Sequence, residues 1–197
     1  MRTTLLALAI CVSGCAQPGR TPKAGNPFGS AEPRVFWIGG LGDETGPRRM
    51  ERLMLSRSGL PGEHSYHGHR DEAEVAADAL AATGPVVLIG HSFGGAAAMR
   101  VAGAIERDGR PAAVLISLDP AWPLPVPRPT GVWRWVNVYQ RLSLRDWIAT
   151  AGCQMGRQRR ADANLRGDGG HWDMAGMLDL ALPHATEWTG AQAAKSH

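Results

Sequence analysis

A chain of 197 residues, 44% hydrophobic and 20% charged, has the size and make-up of one globular domain with a real core and is too short for a multidomain assembly. Its 25 Gly and 14 Pro follow no Gly-X-Y period, and no repeat or long charge block is present, which excludes a fibrous or wholly disordered chain. The net charge of +3 comes from scattered Arg, with only Arg157, Arg159 and Arg160 close together, so nucleic acid is not an expected partner; Cys11, Cys15 and Cys153 are too few for a disulfide framework.

Met1 to Thr4 carries a positive charge, Leu5 to Val12 is apolar, and Ser13-Gly14-Cys15 places small residues ahead of a cysteine. That is the layout of a secretory leader, and its apolar run is far shorter than the ~20 residues that cross a bilayer. Val12-Ser13-Gly14-Cys15 resembles the bacterial lipobox. The resemblance implies a signal peptide over 1–14, lipidation of Cys15 and a location in the bacterial cell envelope, anchored to a membrane on the periplasmic side. Ala16 after the cysteine does not look like an inner-membrane retention signal, which points to the outer membrane. Residues 15–33, rich in Pro, Gly, Ala and Ser, read as a flexible tether, 34–183 as the folded domain and 184–197 as a loosely held tail. Cys153, the only cysteine inside the domain, reads as a buried apolar thiol.

Within the domain, Val35-Phe36-Trp37-Ile38 reads as a buried strand ended by the turn Gly39-Gly40-Leu41-Gly42. Pro47 fits the first turn of a helix that runs through Met50, Leu53 and Met54 to Gly59. A short strand near Glu63 to Tyr66 precedes a second helix from Asp71, its expected cap, to Gly84. Pro85 to Ile89 is a strand with no polar face, and Gly94 to Arg107 is Ala-rich and helical. Ala113 to Leu118 and Val132 to Tyr139 are further strands, with a last one barely visible at Asn164-Leu165. The final helix, Met174 to Leu182, puts Met174, Met177, Leu178, Ala181 and Leu182 on one side and is expected to stop at Pro183. Strands apolar on both sides and alternating with helices imply an α/β fold, a mostly parallel sheet of five or six strands with helices on both faces.

Gly90-His91-Ser92-Phe93-Gly94 matches the G-x-S-x-G pattern where a strand ends and a small-residue helix begins. Such a turn holds its serine in a strained backbone conformation, and the flanking glycines leave room for the neighbouring strand and helix. A serine hydroxyl needs a base for its proton and donors for the developing oxyanion. The Phe93 N–H, at the helix N-terminus, supplies one donor. The turn after the first strand supplies the other, with the Leu41 N–H first and Gly40 next.

In this arrangement the serine comes first along the chain, then an acid, then the histidine. Downstream of Ser92 lie His171, His184 and His197. His171, in the glycine-rich Gly169-Gly170-His171-Trp172-Asp173 just before the last helix, is the expected base. Asp119 ends the strand before it in Leu118-Asp119-Pro120 and is the first choice for the acid. Asp146, after the next strand, remains the alternative.

These residues, spread from Val35 to Leu182, resemble the α/β-hydrolase superfamily, in particular its small, lidless lipase- and cutinase-like members. The Leu118-Asp119-Pro120 setting is similar to that of pancreatic-type lipases. The resemblance implies a serine hydrolase that opens an ester-type carbonyl through an acyl-enzyme, with no cofactor and no metal. Cutinase-type disulfides cannot form here.

Trp122 and Trp172 flank the expected acid and base, and Trp122-Pro123-Leu124-Pro125-Val126-Pro127 has the make-up of an apolar wall. A small apolar ester or thioester is therefore the expected substrate, with Trp122, Trp172 and Gly40 as binding residues. Acyl transfer or thioester cleavage would use the same triad, and a tethered binding protein could keep the fold without turnover. A second pattern, His67-Gly68-His69-Arg70-Asp71-Glu72 with His64 upstream, approaches the ligand run of metallo-β-lactamase-like hydrolases but has Glu72 where a histidine belongs. Its plainer reading is a polar loop ahead of a helix.

Overall fold

Along the first strand Val35 and Trp37 face one side and Phe36 and Ile38 the other, and all four are buried. A strand apolar on both faces needs cover on both, and helices between successive strands provide it. The computed structural model describes residues 31–185 apart from 111, 127–128, 142, 145–147, 149 and 151. Its strands are β1 (Arg34–Gly39), β2 (Glu63–Gly68), β3 (Val86–His91), β4 (Val114–Leu118), β5 (Arg134–Gln140) and β6 (Ala163–Gly167). They form one six-stranded sheet in the order β2-β1-β3-β4-β5-β6, with every pairing parallel. The helices are α1 (Leu41–Thr45), α2 (Arg49–Ser56), α3 (Glu72–Ala81), α4 (Phe93–Arg107) and α5 (Met174–Ala185).

Alternation along the strands divides the core into two layers. Trp37, Ile89, Ile116 and Val136 pack with Met50 and Leu53 of α2 and Met177 and Leu178 of α5. Phe36, Ile38, Leu88, Leu115 and Trp135 pack with Val75 of α3 and Met99 and Ile105 of α4. Each fully buried side chain of this size contributes roughly 1.5–3 kcal/mol, so both layers are needed to offset the ordering of the chain. After β1 the chain moves outward to β2, then returns to β3 on the other side of β1 and proceeds away from it. The connections therefore diverge at the carboxyl ends of β1 and β3, where open α/β sheets form their crevice.

Several local expectations are corrected. The residues after Gly40 form the one-turn helix α1, and Pro47 lies outside α2, whose amino end is held instead by the Asp43 Oδ1, which accepts the Met50 N–H at 3.1 Å. Asp71 does not cap α3 with its side chain; its Oδ2 reaches backward to accept the Gly68 N–H at 2.7 Å and closes the turn after β2. The weak strand at residue 63 extends to Gly68 and the barely visible one at 164 spans Ala163–Gly167, because each is an edge strand completed by pairing with β1 or β5. α5 continues through Pro183 to Ala185, and so takes in His184. A proline in the last turn removes a single helix hydrogen bond, and burial of Ala181 and Ala185 keeps that turn on the sheet. The leader with Cys15, the tether up to residue 30 and residues 186–197 lie outside the described residues. Among the described residues no helix is long and apolar enough to cross a membrane.

Candidate active site

Strand β3 runs straight into Ser92, whose φ of 56° and ψ of −123° lie on the left-handed side of backbone space. A non-glycine residue there is strained and persists only where its surroundings overdetermine it. The Ser92 N–H donates to the Leu118 carbonyl at 3.0 Å, and the Ser92 carbonyl accepts from Gly95 and Ala121. Two glycines make the turn sterically possible: a Cβ on Gly94 would lie 2.1 Å from the Ile38 carbonyl oxygen, and one on Gly90 would lie 2.3 Å from that of Gly94. The small residues of α4 thus let the helix start almost in contact with β1 and β3.

Asp119 leaves the end of β4 with a φ of 39°, its N–H bonded to the Val138 carbonyl at 2.7 Å. His171 stands after Gly170, whose φ of 83° turns the chain between β6 and α5. The three side chains come together and are almost sealed from solvent. The His171 Nε2 lies 3.0 Å from the Ser92 Oγ and its Nδ1 2.7 Å from the Asp119 Oδ2. With Nδ1–H donating to the carboxylate, the bare Nε2 faces the serine proton, which is the tautomer a general base requires. Asp146, the alternative acid, lies outside the described residues.

Three residues not singled out in the sequence complete this arrangement. The Gln140 N–H donates to Asp119 Oδ1 at 3.1 Å, and the Gln154 Nε2 donates to Oδ2 at 2.6 Å. Burial pushes the Asp119 carboxyl up, but the hydrogen bond from His171, the Gln140 N–H, the charge of His171 and the Gln154 amide together outweigh it and hold the group below its ordinary value. The third is His91, fully buried, whose Nε2–H donates to the His171 main-chain carbonyl at 2.7 Å. Burial, then the neighbouring His171, lowers its pKa from 6.5 to about 3. Of these only His91 carried a signal, its place beside Ser92; Gln140 and Gln154 act through the fold alone.

Gly40 passes directly over the serine, since a Cβ there would lie 2.9 Å from the Ser92 Cβ and 3.4 Å from the Phe93 nitrogen. Among the described residues, neither the Leu41 nor the Phe93 N–H is taken up by the turn and cap bonds around it. The two tryptophans lie on different sides of the site. Trp172 is 37% exposed, meets the His171 ring edge-on at 5.1 Å and carries the Arg49 guanidinium over its face at 4.9 Å. Trp122 meets Phe93 edge-on at 5.3 Å and has Arg100 against its face at 4.3 Å. Two clefts open beside the centre, one of about 700 Å³ bordered by Gln140, His171 and Trp172 and one of about 640 Å³ bordered by Trp122, Leu124 and Gln154.

The histidines of the metal-like pattern are dispersed by the fold. His64 accepts the Trp37 indole N–H through Nδ1, His67 bonds the Ser65 hydroxyl, and His69 pairs with Glu44 at 2.8 Å. Among the described residues no three His, Cys, Asp or Glu side chains converge to hold a metal ion. Cys153 is half-buried and lines the second cleft, rather than being packed away in the core.

A six-stranded parallel sheet with a strained serine between β3 and α4, at the point where the connections diverge, defines the α/β-hydrolase class of fold. The profile of the alpha/beta hydrolase family matches residues 30–195, and the chain belongs to that family. Among solved structures it is similar to one from Xanthomonas campestris pv. campestris, described as a hydrolase of the alpha/beta superfamily. The match covers 79% of this chain and 96% of that one, with 23% identity and a TM-score of 0.52, a likeness of fold. No curated protein matches the chain.

Proposed function

We propose that this protein is a serine hydrolase that cleaves an ester-type bond in a small apolar substrate. The observation that carries the reading is the unbroken hydrogen-bond chain from Ser92 through His171 to Asp119, at 3.0 and 2.7 Å, in a nearly dry site. His171 Nε2 takes the Ser92 proton as Oγ bonds to the carbonyl carbon, and the carbonyl electron pair moves onto its oxygen. The Phe93 and Leu41 N–H groups donate to that oxyanion. His171 then returns the proton to the departing alcohol or thiol as its bond to carbon breaks. Water, deprotonated by the same imidazole, releases the acyl group and restores the serine. Asp119 stays ionised and stabilises the imidazolium. The placing of Trp122 and Trp172 beside the two clefts supports an acyl or aryl substrate. The leader and Cys15 support a lipid-anchored place in the cell envelope, which the intact mass of the chain recovered from membranes would test.

The function is tested by fluorophosphonate labelling of the full chain beside Ser92→Ala, read by intact mass, followed by matched ester and thioester substrates. One adduct on the wild type and none on the variant supports the reading. A folded wild type that takes no label would sink it in favour of a binding protein on the same fold.

A further inference from the structure

We infer that His91 is a positioning residue, whose Nε2–H ties the main chain of the base-bearing loop to the serine turn so that His171 faces Ser92. The inference rests on the serine-hydrolase reading and adds to it how the base is aimed. His171 enters after Gly169-Gly170, a pair whose own side chains set no limit on the backbone, and the hydrogen bonds of its ring act only at the end of two rotatable side-chain torsions. Something must also hold its main chain. One bond that does so is the 2.7 Å contact from His91 to the His171 carbonyl, between groups 80 positions apart in the chain. His91 immediately precedes Ser92, so one short segment carries both the nucleophile and the anchor of its base.

The geometry fixes one tautomer of the neutral His91 ring and one orientation. A carbonyl can only accept, so Nε2 carries the proton and the neutral ring leaves Nδ1 bare. The ring is 1% exposed, so bulk solvent does not reach the bond. Its centroid lies 4.7 Å from that of His171 at a 40° tilt, close enough to limit rotation of the catalytic imidazole. Trp172 backs it at 6.0 Å, and the charged groups that bear on it are His171, Asp119 and Arg49. Burial keeps the ring neutral at working pH, so no fixed positive charge sits beside the imidazolium formed during turnover. An aliphatic side chain would fill this buried space without a polar group to satisfy, and it would remove the bond from His91 to the His171 carbonyl.

The experiment compares full chains carrying His91→Leu and His91→Gln with the wild type. Turnover of p-nitrophenyl butyrate, the rate of fluorophosphonate labelling and thermal melting are measured on each. Small misplacement of a catalytic group costs on the order of 100-fold, so His91→Leu should lower kcat by ~100-fold with KM within ~3-fold, and slow labelling by a similar factor. His91→Gln, which keeps an N–H donor, should recover kcat to within ~5-fold of wild type. Should His91→Leu fail to fold, His91→Asn, polar but too short to reach the carbonyl, takes its place with the same expectation. A folded His91→Leu that labels and turns over like the wild type overturns the inference, as does an equal loss in the Leu and Gln variants. Those results leave the hydrolase reading intact. A folded wild type that neither labels nor turns over ester defeats both.

Discussion

The serine and the histidine of the site are held by two different kinds of structure. Around Ser92 the constraint is local and steric: a strand, a turn at positive φ, and glycines whose every added Cβ would strike a backbone atom. Around His171 the constraint is distant and polar: His91 holds the main chain, Asp119 holds the ring, and Gln140 and Gln154 hold Asp119. The serine is placed by what cannot fit elsewhere. The histidine is placed by polar groups drawn from β3, the end of β4, β5 and the loop before β6. A steric turn is all or nothing, whereas a hydrogen-bonded arm can be weakened one contact at a time.

The contrast can be broken most severely at Asp119. Asp119→Asn keeps the shape but offers His171 an amide, which favours the wrong imidazole tautomer; kcat should fall by ~10⁴ in a variant that thermal melting shows to be folded. Turnover near wild type would remove Asp119 from the triad and leave the acid to be found elsewhere.

Acid should loosen the polar arm next. In the folded chain His91 takes no proton until about pH 3, whereas in the unfolded chain it does so near 6.5. Between those values the unfolded state binds more protons, so stability falls as pH falls, by up to ~4 kcal/mol at pH 3. Asp119 acts in the same direction at the acid end, because its contribution is present above the unfolded carboxylate value and is lost as pH falls through its lower folded value. Urea melts from pH 7 to 3 on the wild type and His91→Gln separate the two, since the variant lacks only the histidine's share. Parallel pH slopes in both would rule out the neutral, buried state of His91.

The smallest expected effect sharpens the steric side. Gly94→Ala places a methyl 2.1 Å from the Ile38 carbonyl oxygen, which is backbone and cannot swing away. Overpacking of this kind should cost about 3 kcal/mol, measured by chemical unfolding, and displace α4 from β1. A variant as stable as the wild type would mean that the helix start has slack that the close approach does not show.

The division also explains what was legible in the chain. β1, β3 and β4 are apolar on both faces and announce themselves as buried strands, and the glycines around Ser92 mark a turn whose geometry depends on immediate neighbours. Asp119 and His171 were named from their places after a strand and before a helix. The edge strands β2 and β6 were faint because much of what stabilises them is a partner strand. Asp71 and Pro183 were misjudged by local rules: a carboxylate can serve the turn behind it as well as the helix ahead, and a proline in a last turn gives up too little to stop a helix that is buried against a sheet.

By itself the sequence determined the alternation of strand and helix, the parallel sheet and the serine turn, because each depends on side-chain volume and backbone freedom within a few residues. Only the tertiary structure decided that His91 anchors the His171 loop and that two glutamines hold Asp119. These bonds join groups up to 80 positions apart. A hydrogen bond depends on distance and direction in space, and spacing along the chain carries neither.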